Sequence, residues 1–321
     1  MKCFSLFSGI GGFDLALTQL GHEIVGACEI DEYARSVYAG HFPKVKIWKD
    51  ATKINPTELP EFQLLCAGFP CQSFSCAGGR RGFEDTRGTL FFEIIRIARE
   101  KQPSILLLEN VKGLLSHDKG QTFATIKDAL DEVGYDCSWF IINSKYYLPQ
   151  NRERVFITAN LRKGEPGSRK VLPFRHFGKE VHKEKSLERV GNIDQKGHNS
   201  IWGRVYNPEG ISATLNAQAG GLGAKGGIYV VADRSRTKAG LGRRLESPKE
   251  ITNSLTSVAK DNLVYYDNRL RRLTPLEWER LQGFPENWTT GSDSQRYKML
   301  GNAVTVPVVR SILEQLRPQI L

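Results

Sequence analysis

The chain has 321 residues, of which 40% are hydrophobic and 10% aromatic, and its formal net charge is +10. This length allows one large domain or two ordinary ones, and the composition is that of a globular protein rather than a disordered or fibrous one. Neither a signal peptide nor an apolar run near the roughly 20 residues of a membrane span is found, so we expect a cytoplasmic protein.

Residues 1–161 alternate strand and helix signals, which is the pattern of a doubly wound, mostly parallel α/β sheet. The predicted strands are Cys3–Phe7, Glu23–Glu29, Val45–Asp50, Phe62–Ala67, Ser104–Glu109, Asp136–Asn143 and Arg154–Asn160. The predicted helices are Gly11–Leu20, a segment capped by Asp31, Arg87–Lys101 and Gln121–Val133.

The seventh predicted strand is expected to run against the others. Only about ten residues, without helical periodicity, separate it from the sixth strand, whereas a parallel connection needs a dozen or more, usually in a helix. We therefore expect an antiparallel last strand, with the loop Ser144–Glu153 at the edge where the other strands end.

The block 162–272 differs in character, being glycine-rich, basic and made of short strand-like pieces. Net charge is −1 over residues 1–160, +11 over 161–272 and zero over 273–321. A solvated basic face would look the same, but confinement to one segment favours a module that binds a polyanion, nucleic acid first. Residues 204–215 also resemble 244–255 at an offset of 40, which indicates a duplication or a chance match.

Helical signals return after this block. The predicted helices are Thr274–Gln282, with Thr274 as N-cap and Pro275 at the first position, Ser294–Leu300 and Val306–Leu316.

A glycine-rich turn, Phe7-Ser8-Gly9-Ile10-Gly11-Gly12, joins the first strand to the first helix. Glu29 ends the second strand 20 residues after Gly9, where an acid that binds ribose hydroxyls lies in nucleotide-binding sheets. The spacing departs from the dinucleotide GxGxxG pattern, so a nucleoside without phosphates fits better than a pyrophosphate. The alternative is an ordinary tight turn.

Cys71 follows the fourth predicted strand, in Gly68-Phe69-Pro70-Cys71-Gln72. Because Pro70 is stiff and restricts its neighbour, this thiol is expected on a rigid loop at the strand end. A buried structural cysteine is the plain alternative. The chain has six cysteines (3, 28, 66, 71, 76 and 137) with no CxxC pair, which favours reduced thiols and no metal site.

Two further groups are predicted at the same edge of the sheet. Glu109 ends the most hydrophobic strand, where a carboxylate is costly unless it is paired or used. Arg152 and Arg154 alternate at the start of the last strand, and an exposed strand start is their plain explanation. Since ligands of open α/β sheets bind at the carboxyl ends of the strands, these groups and Cys71 together indicate an active site.

Seven ordered motifs resemble those of the DNA (cytosine-5)-methyltransferases of bacterial restriction-modification systems, over nearly the whole chain. They are Phe-Ser-Gly-Ile-Gly-Gly, Gly-Phe-Pro-Cys-Gln-Ser-Phe-Ser, Arg-Gly-Thr-Leu-Phe-Phe-Glu (87–93), Glu-Asn-Val, Gln-Asn-Arg-Glu-Arg, Arg-Leu-Thr-Pro (272–275) with Gln-Gly-Phe-Pro (282–285), and Tyr-Lys-Met-Leu-Gly-Asn-Ala-Val (297–304).

The resemblance implies S-adenosylmethionine as cofactor, with S-adenosylhomocysteine as its product, and no metal. The cofactor residues that it implies are Phe7, Gly9, Gly11, Glu29, Ile30, Asp50, Pro70, Leu90 and Asn302. Ile30 departs from the large aromatic residue often found after that glutamate.

The resemblance also implies the reaction. Cys71 would attack C6 of a cytosine flipped out of the duplex, Glu109 would bind N3 and the exocyclic amine, and the arginines would assist. Arg152 would favour the thiolate, and Arg154 would orient Glu109 or the base. The implied DNA-contact residues are Gln72, Ser75, Arg81, Thr214 and Leu215.

The predicted domains are a catalytic, Rossmann-like domain of residues 1–163 completed by 292–321, and a smaller recognition domain and hinge of residues 164–291. The expected partner is double-stranded DNA, with the enzyme acting as a monomer and any cognate restriction endonuclease acting separately. The alternatives are a transfer-RNA cytosine-5-methyltransferase, whose Cys-Phe-Thr tripeptide is missing from the basic block, and a catalytically silent DNA-binding homologue.

Overall fold

The computed structural model describes residues 1–70, 90–162, 189–192, 204–206, 233–237, 240–244, 263–266 and 269–316. The chain divides into two compact units. Unit 1 comprises residues 1–142, 153–177 and 306–321, and unit 2 comprises residues 143–152 and 178–305. The functional division predicted from the sequence remains a prediction, because compactness does not define where a recognition function begins.

A seven-stranded sheet forms the centre of unit 1. Its strands are β1 (Lys2–Leu6), β2 (Glu23–Cys28), β3 (Ile47–Trp48), β4 (Leu64–Gly68), β5 (Ile105–Val111), β6 (Tyr135–Asn143) and β7 (Glu153–Leu161). Their order is β3-β2-β1-β4-β5-β7-β6. The neighbours from β3 to β5 pair in parallel, and β7 is antiparallel to β5. The predicted fold class and the reversed seventh strand are both confirmed.

The chain forms seven α-helices within the described ranges. They are α1 (Gly12–Gln19), α2 (Glu32–His41), α3 (Leu90–Lys101), α4 (Gln121–Glu132), α5 (Pro275–Gln282), α6 (Asp293–Asn302) and α7 (Val306–Leu316). Asp31 caps α2 as predicted, since its side chain accepts from the backbone N–H groups of Tyr33 and Ala34. In unit 1, α7 packs against α1 although nearly 300 residues separate them.

The core explains why β4 and β5 lack polar alternation. Residues Ile105 to Leu108 are all at most 1% exposed, because layers cover both faces of a central strand. The register pairs Leu6 with Ala67 and Gly68 with Glu109, so β1, β4 and β5 end at the same edge. That edge receives the glycine-rich turn, Phe69–Pro70 and Glu109.

Within the described ranges, unit 2 contains three two-stranded antiparallel pairs and two α-helices. The pairs are β8 (Arg189–Asn192) with β9 (Arg204–Tyr206), β10 (Asp233–Thr237) with β11 (Gly240–Arg244), and β12 (Leu263–Tyr266) with β13 (Arg269–Arg272). Thr274 is the N-cap of α5, as the sequence signal predicted, and it also forms a full capping box with Glu277. Most positions of the repeat at an offset of 40 lie outside the described residues, so the duplication stays a prediction.

Among the helices of the described ranges, none has both the length and the apolar character needed to cross a membrane.

Candidate active site at the carboxyl edge of the sheet

The glycine-rich turn has a backbone that few side chains tolerate. Gly9 has φ +55° and Gly11 has φ +85°, and Phe7 adopts φ 57° although it has a side chain. A Cβ on Gly9 would meet nothing within 4 Å, so this position faces open space. A Cβ on Gly11 would lie 2.5 Å from Cε2 of Phe42, so packing alone requires that glycine. The predicted cofactor role of Gly11 remains a prediction beside this packing role.

Glu29 is fixed beside Gly9. Its Oε2 accepts from the backbone N–H of Gly9 at 2.7 Å, and its Oε1 accepts from that of Asp31 at 2.8 Å. Burial raises the pKa of Glu29, and these hydrogen bonds oppose the shift. Each carboxylate oxygen keeps a second lone pair, so Glu29 can still accept from ligand hydroxyls. The neighbouring Ile30 is 72% exposed, which leaves an apolar surface available to a ligand.

Asp50 lies at the end of the neighbouring strand. Its Oδ1 accepts from the backbone N–H of Thr52 at 3.0 Å and from the Thr52 hydroxyl at 2.7 Å. The Thr52 hydrogen bonds lower the pKa of Asp50, which keeps it an ionised acceptor at neutral pH. Leu90, the first residue of α3, is partly buried, and Pro70 is exposed.

Glu109 and Arg154 form a buried ion pair across β5 and β7. Arg154 Nε lies 3.0 Å from Glu109 Oε1, with the two side chains 12% and 11% exposed. Burial lowers the pKa of Arg154, and the charge of Glu109 opposes that shift. A Cβ on Gly68 would lie 3.4 Å from Glu109 Oε2, so the carboxylate sits over the end of β4. Three residues further along the chain comes Cys71.

Asn110 was not assigned a role from the sequence, although it stands in the Glu-Asn-Val motif. Its Nδ2 donates to the backbone carbonyl of Phe69 at 2.8 Å, and its side chain is buried. This bond fixes the segment that leads from Gly68 towards Cys71. The polar residue directly after Glu109 in an otherwise apolar strand was the available signal.

The two arginines of Gln-Asn-Arg-Glu-Arg have different partners. In unit 2, Arg152 Nη2 donates to the carbonyl of Ala303 at 2.9 Å, and Nη1 and Nη2 donate to that of Gly301 at 3.3 Å. These carbonyls flank Asn302, whose side chain is exposed. Arg152 therefore holds the turn that presents a predicted cofactor residue, and its assignment to catalysis remains a prediction.

Four of the six cysteines lie within the described ranges, and burial makes these four poor nucleophiles. Burial raises the pKa of Cys3 and of Cys28 to about 12, and it raises those of Cys66 and Cys137 as well. A thiol needs a lowered pKa to react as thiolate at neutral pH. Cys71 and Cys76 thus remain as candidates. The predicted site residues that lie outside the described ranges are Cys71, Gln72, Ser75, Arg81, Thr214 and Leu215.

The arrangement fits a nucleoside-bearing cofactor beside a planar, polar substrate. An open glycine turn, the acceptor Glu29 and the ionised Asp50 follow neighbouring strands, as a cofactor with ribose hydroxyls and an amino group requires. The Glu109–Arg154 pair lies further along the same edge, over Gly68, which precedes Cys71 by three residues in the sequence.

Comparisons with known proteins agree with this arrangement. Residues 1–317 match the family model described as C-5 cytosine-specific DNA methylase. The orphan methyltransferase M.SPRI of Bacillus phage SPR is 34% identical to this chain, and the match covers 98% of the chain and 97% of that protein. The type II methyltransferase M.HhaI of Haemophilus parahaemolyticus is 33% identical, with 97% and 93% covered.

A solved structure has the same fold. The Dnmt2 methyltransferase of S. pombe matches this chain with a TM-score of 0.65 at 21% sequence identity, and the match covers 100% of each chain.

Proposed function

The chain belongs to the C-5 cytosine-specific DNA methylase family, and we propose that it methylates C5 of one specific cytosine in duplex DNA through a covalent intermediate on Cys71. The observation that carries this proposal is the buried Glu109–Arg154 pair over Gly68, three residues before Cys71. It supplies a carboxylate for the base over Gly68, which is close in the sequence to Cys71, the predicted nucleophile.

The cofactor site that we propose lies over the first three strands. Glu29 accepts hydrogen bonds from the ribose hydroxyls, and Asp50 accepts one from the exocyclic amine of adenine. Phe7, Ile30, Pro70 and Leu90 contribute apolar contacts, and Gly9 leaves room for the methionine part. Asn302 is a further cofactor contact that the resemblance implies. When bound, S-adenosylmethionine supplies an electrophilic methyl group on a sulfonium.

Cys71 and Glu109 then activate a carbon that is too weak a nucleophile by itself. The Cys71 thiolate, favoured by the charge of Arg152, bonds to C6, and C5 gains the electron density to accept the methyl group. Glu109 holds N3 and the exocyclic amine and neutralises charge that develops on the ring. Arg154 fixes the orientation of Glu109. Loss of the C5 proton to a base then breaks the bond between sulfur and C6 and returns the thiolate.

If the substrate is duplex DNA, the enzyme cannot reach C6 of a cytosine that stays stacked and paired. The target base must leave the stack, and we propose that Gln72, Ser75 and Arg81 contact the DNA around it. The basic block, with Thr214 and Leu215, would read the sequence. Since M.HhaI is a type II methyltransferase, protection of DNA against a cognate endonuclease is the biological role we favour.

A trapping experiment tests the proposal. In duplex DNA that carries 5-fluorocytosine, fluorine replaces the proton that must leave, so the bond between Cys71 and C6 persists. With S-adenosylmethionine, the wild type should form a covalent complex that survives SDS. The Cys71→Ser variant should form none.

The matched control is Cys76→Ser. It removes the other thiol that remains a candidate nucleophile, and it should leave the adduct intact. Transfer RNA serves as the competing substrate. An adduct that persists in Cys71→Ser, or methyl transfer to transfer RNA but to no DNA, would contradict the proposal.

A further inference from the structure

The turn that carries Asp50 follows β3, the shortest strand of the sheet. Strand β3 has only two residues and lies at the edge, where Ile47 pairs with Ala27 and Trp48 with Cys28. Strand pairing thus ends before Asp50, which caps the short helical turn Ala51–Lys53. Thr52 holds the Asp50 carboxylate within the turn, so what is still needed is a contact that ties the turn itself to the rest of unit 1.

Arg96, on α3, provides that contact. Its Nη1 donates to the carbonyl of Ile54 at 2.6 Å, and its Nη2 donates to that of Ala51 at 2.9 Å. The two carbonyls lie at the start and just beyond the end of the turn, so one guanidinium spans it. The residues that present them are buried, with Ala51 4% and Ile54 2% exposed.

Glu93 fixes the orientation of this guanidinium. Its Oε2 accepts from Arg96 Nε at 2.8 Å and from Nη2 at 2.6 Å, three residues earlier on the same helix. A planar guanidinium held by a carboxylate on one side and two carbonyls on the other has little freedom left. Lysine has one point charge and no such fork, so it cannot make all these bonds at once.

The clamp joins two segments that carry proposed cofactor contacts. Leu90 begins the helix on which Arg96 lies, and Asp50 begins the turn that Arg96 holds. The hydrogen bonds of Arg96 described above reach two backbone carbonyls and Glu93, so any influence on a ligand passes through the position of these segments.

We propose that Arg96 is a positioning residue that sets the affinity of the enzyme for its cofactor by holding the Asp50 turn against α3. This inference rests on the proposed function, because Asp50 and Leu90 are assigned to the cofactor there. If the Arg96 clamp served only stability, Arg96→Gln would lower the free energy of unfolding, and any effect on cofactor binding would not depend on the Asp50 carboxylate.

Titration calorimetry with S-adenosylhomocysteine tests it, because this binding requires neither Cys71 nor DNA. Arg96→Gln should raise the dissociation constant about tenfold and the KM for S-adenosylmethionine by a similar factor. The kcat at saturating cofactor should stay within about twofold, since the reacting groups are unchanged. Arg96→Lys keeps the positive charge beside Glu93 and is therefore the milder variant if Arg96→Gln folds poorly. It should weaken binding by a factor between those of the wild type and Arg96→Gln.

The matched control is Arg310→Gln on α7. It makes the same substitution and removes an arginine–carboxylate pair, Arg310 Nε to Glu314 Oε1 at 3.0 Å, without a backbone clamp. Its dissociation constant should equal that of the wild type.

A double-mutant cycle separates positioning from structure. In an Asp50→Ala background no carboxylate is left to position, so adding Arg96→Gln should change the dissociation constant less than about twofold. A full additional tenfold loss there, an unchanged constant in Arg96→Gln alone, or a fall in kcat with KM unchanged would overturn the inference. Failure of the Cys71 adduct would overturn the proposed function and leave this result standing.

Discussion

Glu109 satisfies at one position both the packing of the sheet and the chemistry proposed for its edge. A carboxylate 9% exposed at the end of an apolar strand needs a partner, and Arg154 on the antiparallel neighbour supplies it at 3.0 Å. The glycine at position 68 leaves the carboxylate room above β4, because a Cβ there would already touch Glu109 Oε2 at 3.4 Å. The absence of a side chain at Gly68 thus leaves space for the Glu109 carboxylate at the proposed base site.

The first prediction concerns this carboxylate. Glu109→Gln should slow methyl transfer by about a hundredfold or more and change DNA affinity by less than about threefold, because an amide can still hydrogen-bond the base but cannot neutralise developing charge. Single-turnover transfer and equilibrium DNA binding measure the two effects.

The control for this variant is Glu153→Gln, which removes an acid of β7 whose partner is the exposed Lys112. It should leave transfer unchanged. Since Glu109→Gln leaves a buried guanidinium without its counter-charge, thermal unfolding is measured in parallel. Equal losses in transfer and in DNA affinity would count against the role assigned to Glu109.

Asp14 is a second buried carboxyl. We expect it to affect the free energy of unfolding rather than methyl transfer. It is 0% exposed, its Oδ1 accepts from the Tyr38 hydroxyl at 3.0 Å, and burial raises its pKa to about 6. A folded-state pKa above the unfolded value means that its stabilising contribution is present below about pH 4. That contribution is lost as pH rises through about 6.

Asp14→Asn should therefore gain stability relative to the wild type as pH rises. The difference in unfolding free energy should grow by about 3 kcal/mol between pH 4 and pH 7, in proportion to the roughly two-unit shift. Urea unfolding of both proteins across this range measures it. A difference that is independent of pH would mean that Asp14 is not protonated in the folded protein.

At the scale of elements, the sequence predicted those features that leave a periodic or a length signal. Strand β5 was found within two residues because it is a continuous apolar run, and β7 was expected to reverse because its connection is too short for a crossover. Strand β3 is much shorter than the predicted Val45–Asp50, because only Ile47 and Trp48 pair with β2.

Contacts between side chains and distant backbone carbonyls left no such signal. Arg96 binds carbonyls more than 40 residues earlier, and Asn110 binds one 41 residues earlier. Arg96 does not alter the pattern of polar and apolar residues along α3, and Asn110 marks a polar position in β5 without revealing its partner. The motifs showed that these segments matter, and only the structure shows which atoms join them.

The end of α6 shows the same limit within unit 2. The last carbonyls of a helix have no partner within it. Here the Gln282 side chain donates to that of Leu300 at 2.7 Å, and Arg152 donates to those beside Asn302. The Thr305 hydroxyl donates to Gln282 Oε1 at 3.0 Å and bonds the Ser144 hydroxyl at 2.9 Å. Three segments of sequence, residues 144–152, Gln282 and residues 300–305, thus meet in one buried polar network around the Asn302 turn.

At the scale of the whole molecule, charge and chemistry occupy different parts of the sequence. The block 161–272 has net charge +11, while residues 1–160, which contain Glu29, Asp50 and Glu109, have net charge −1. A polyanion is therefore attracted mainly by the central block. The proposed cofactor, which carries charges of both signs and no phosphate, meets a segment close to neutrality.

Salt should consequently separate the two binding reactions. If the basic block neutralises about five phosphates, raising salt from about 50 to 200 mM should weaken binding to non-cognate duplex DNA by several hundredfold, since each contact contributes a slope of about −0.9 to log K against log salt. Binding of S-adenosylhomocysteine should change by less than about twofold, because no counterions are released there. Fluorescence anisotropy on labelled duplex and calorimetry on the cofactor product give the two slopes. Equal slopes would show that the positive charge of residues 161–272 does not serve as the DNA-binding surface.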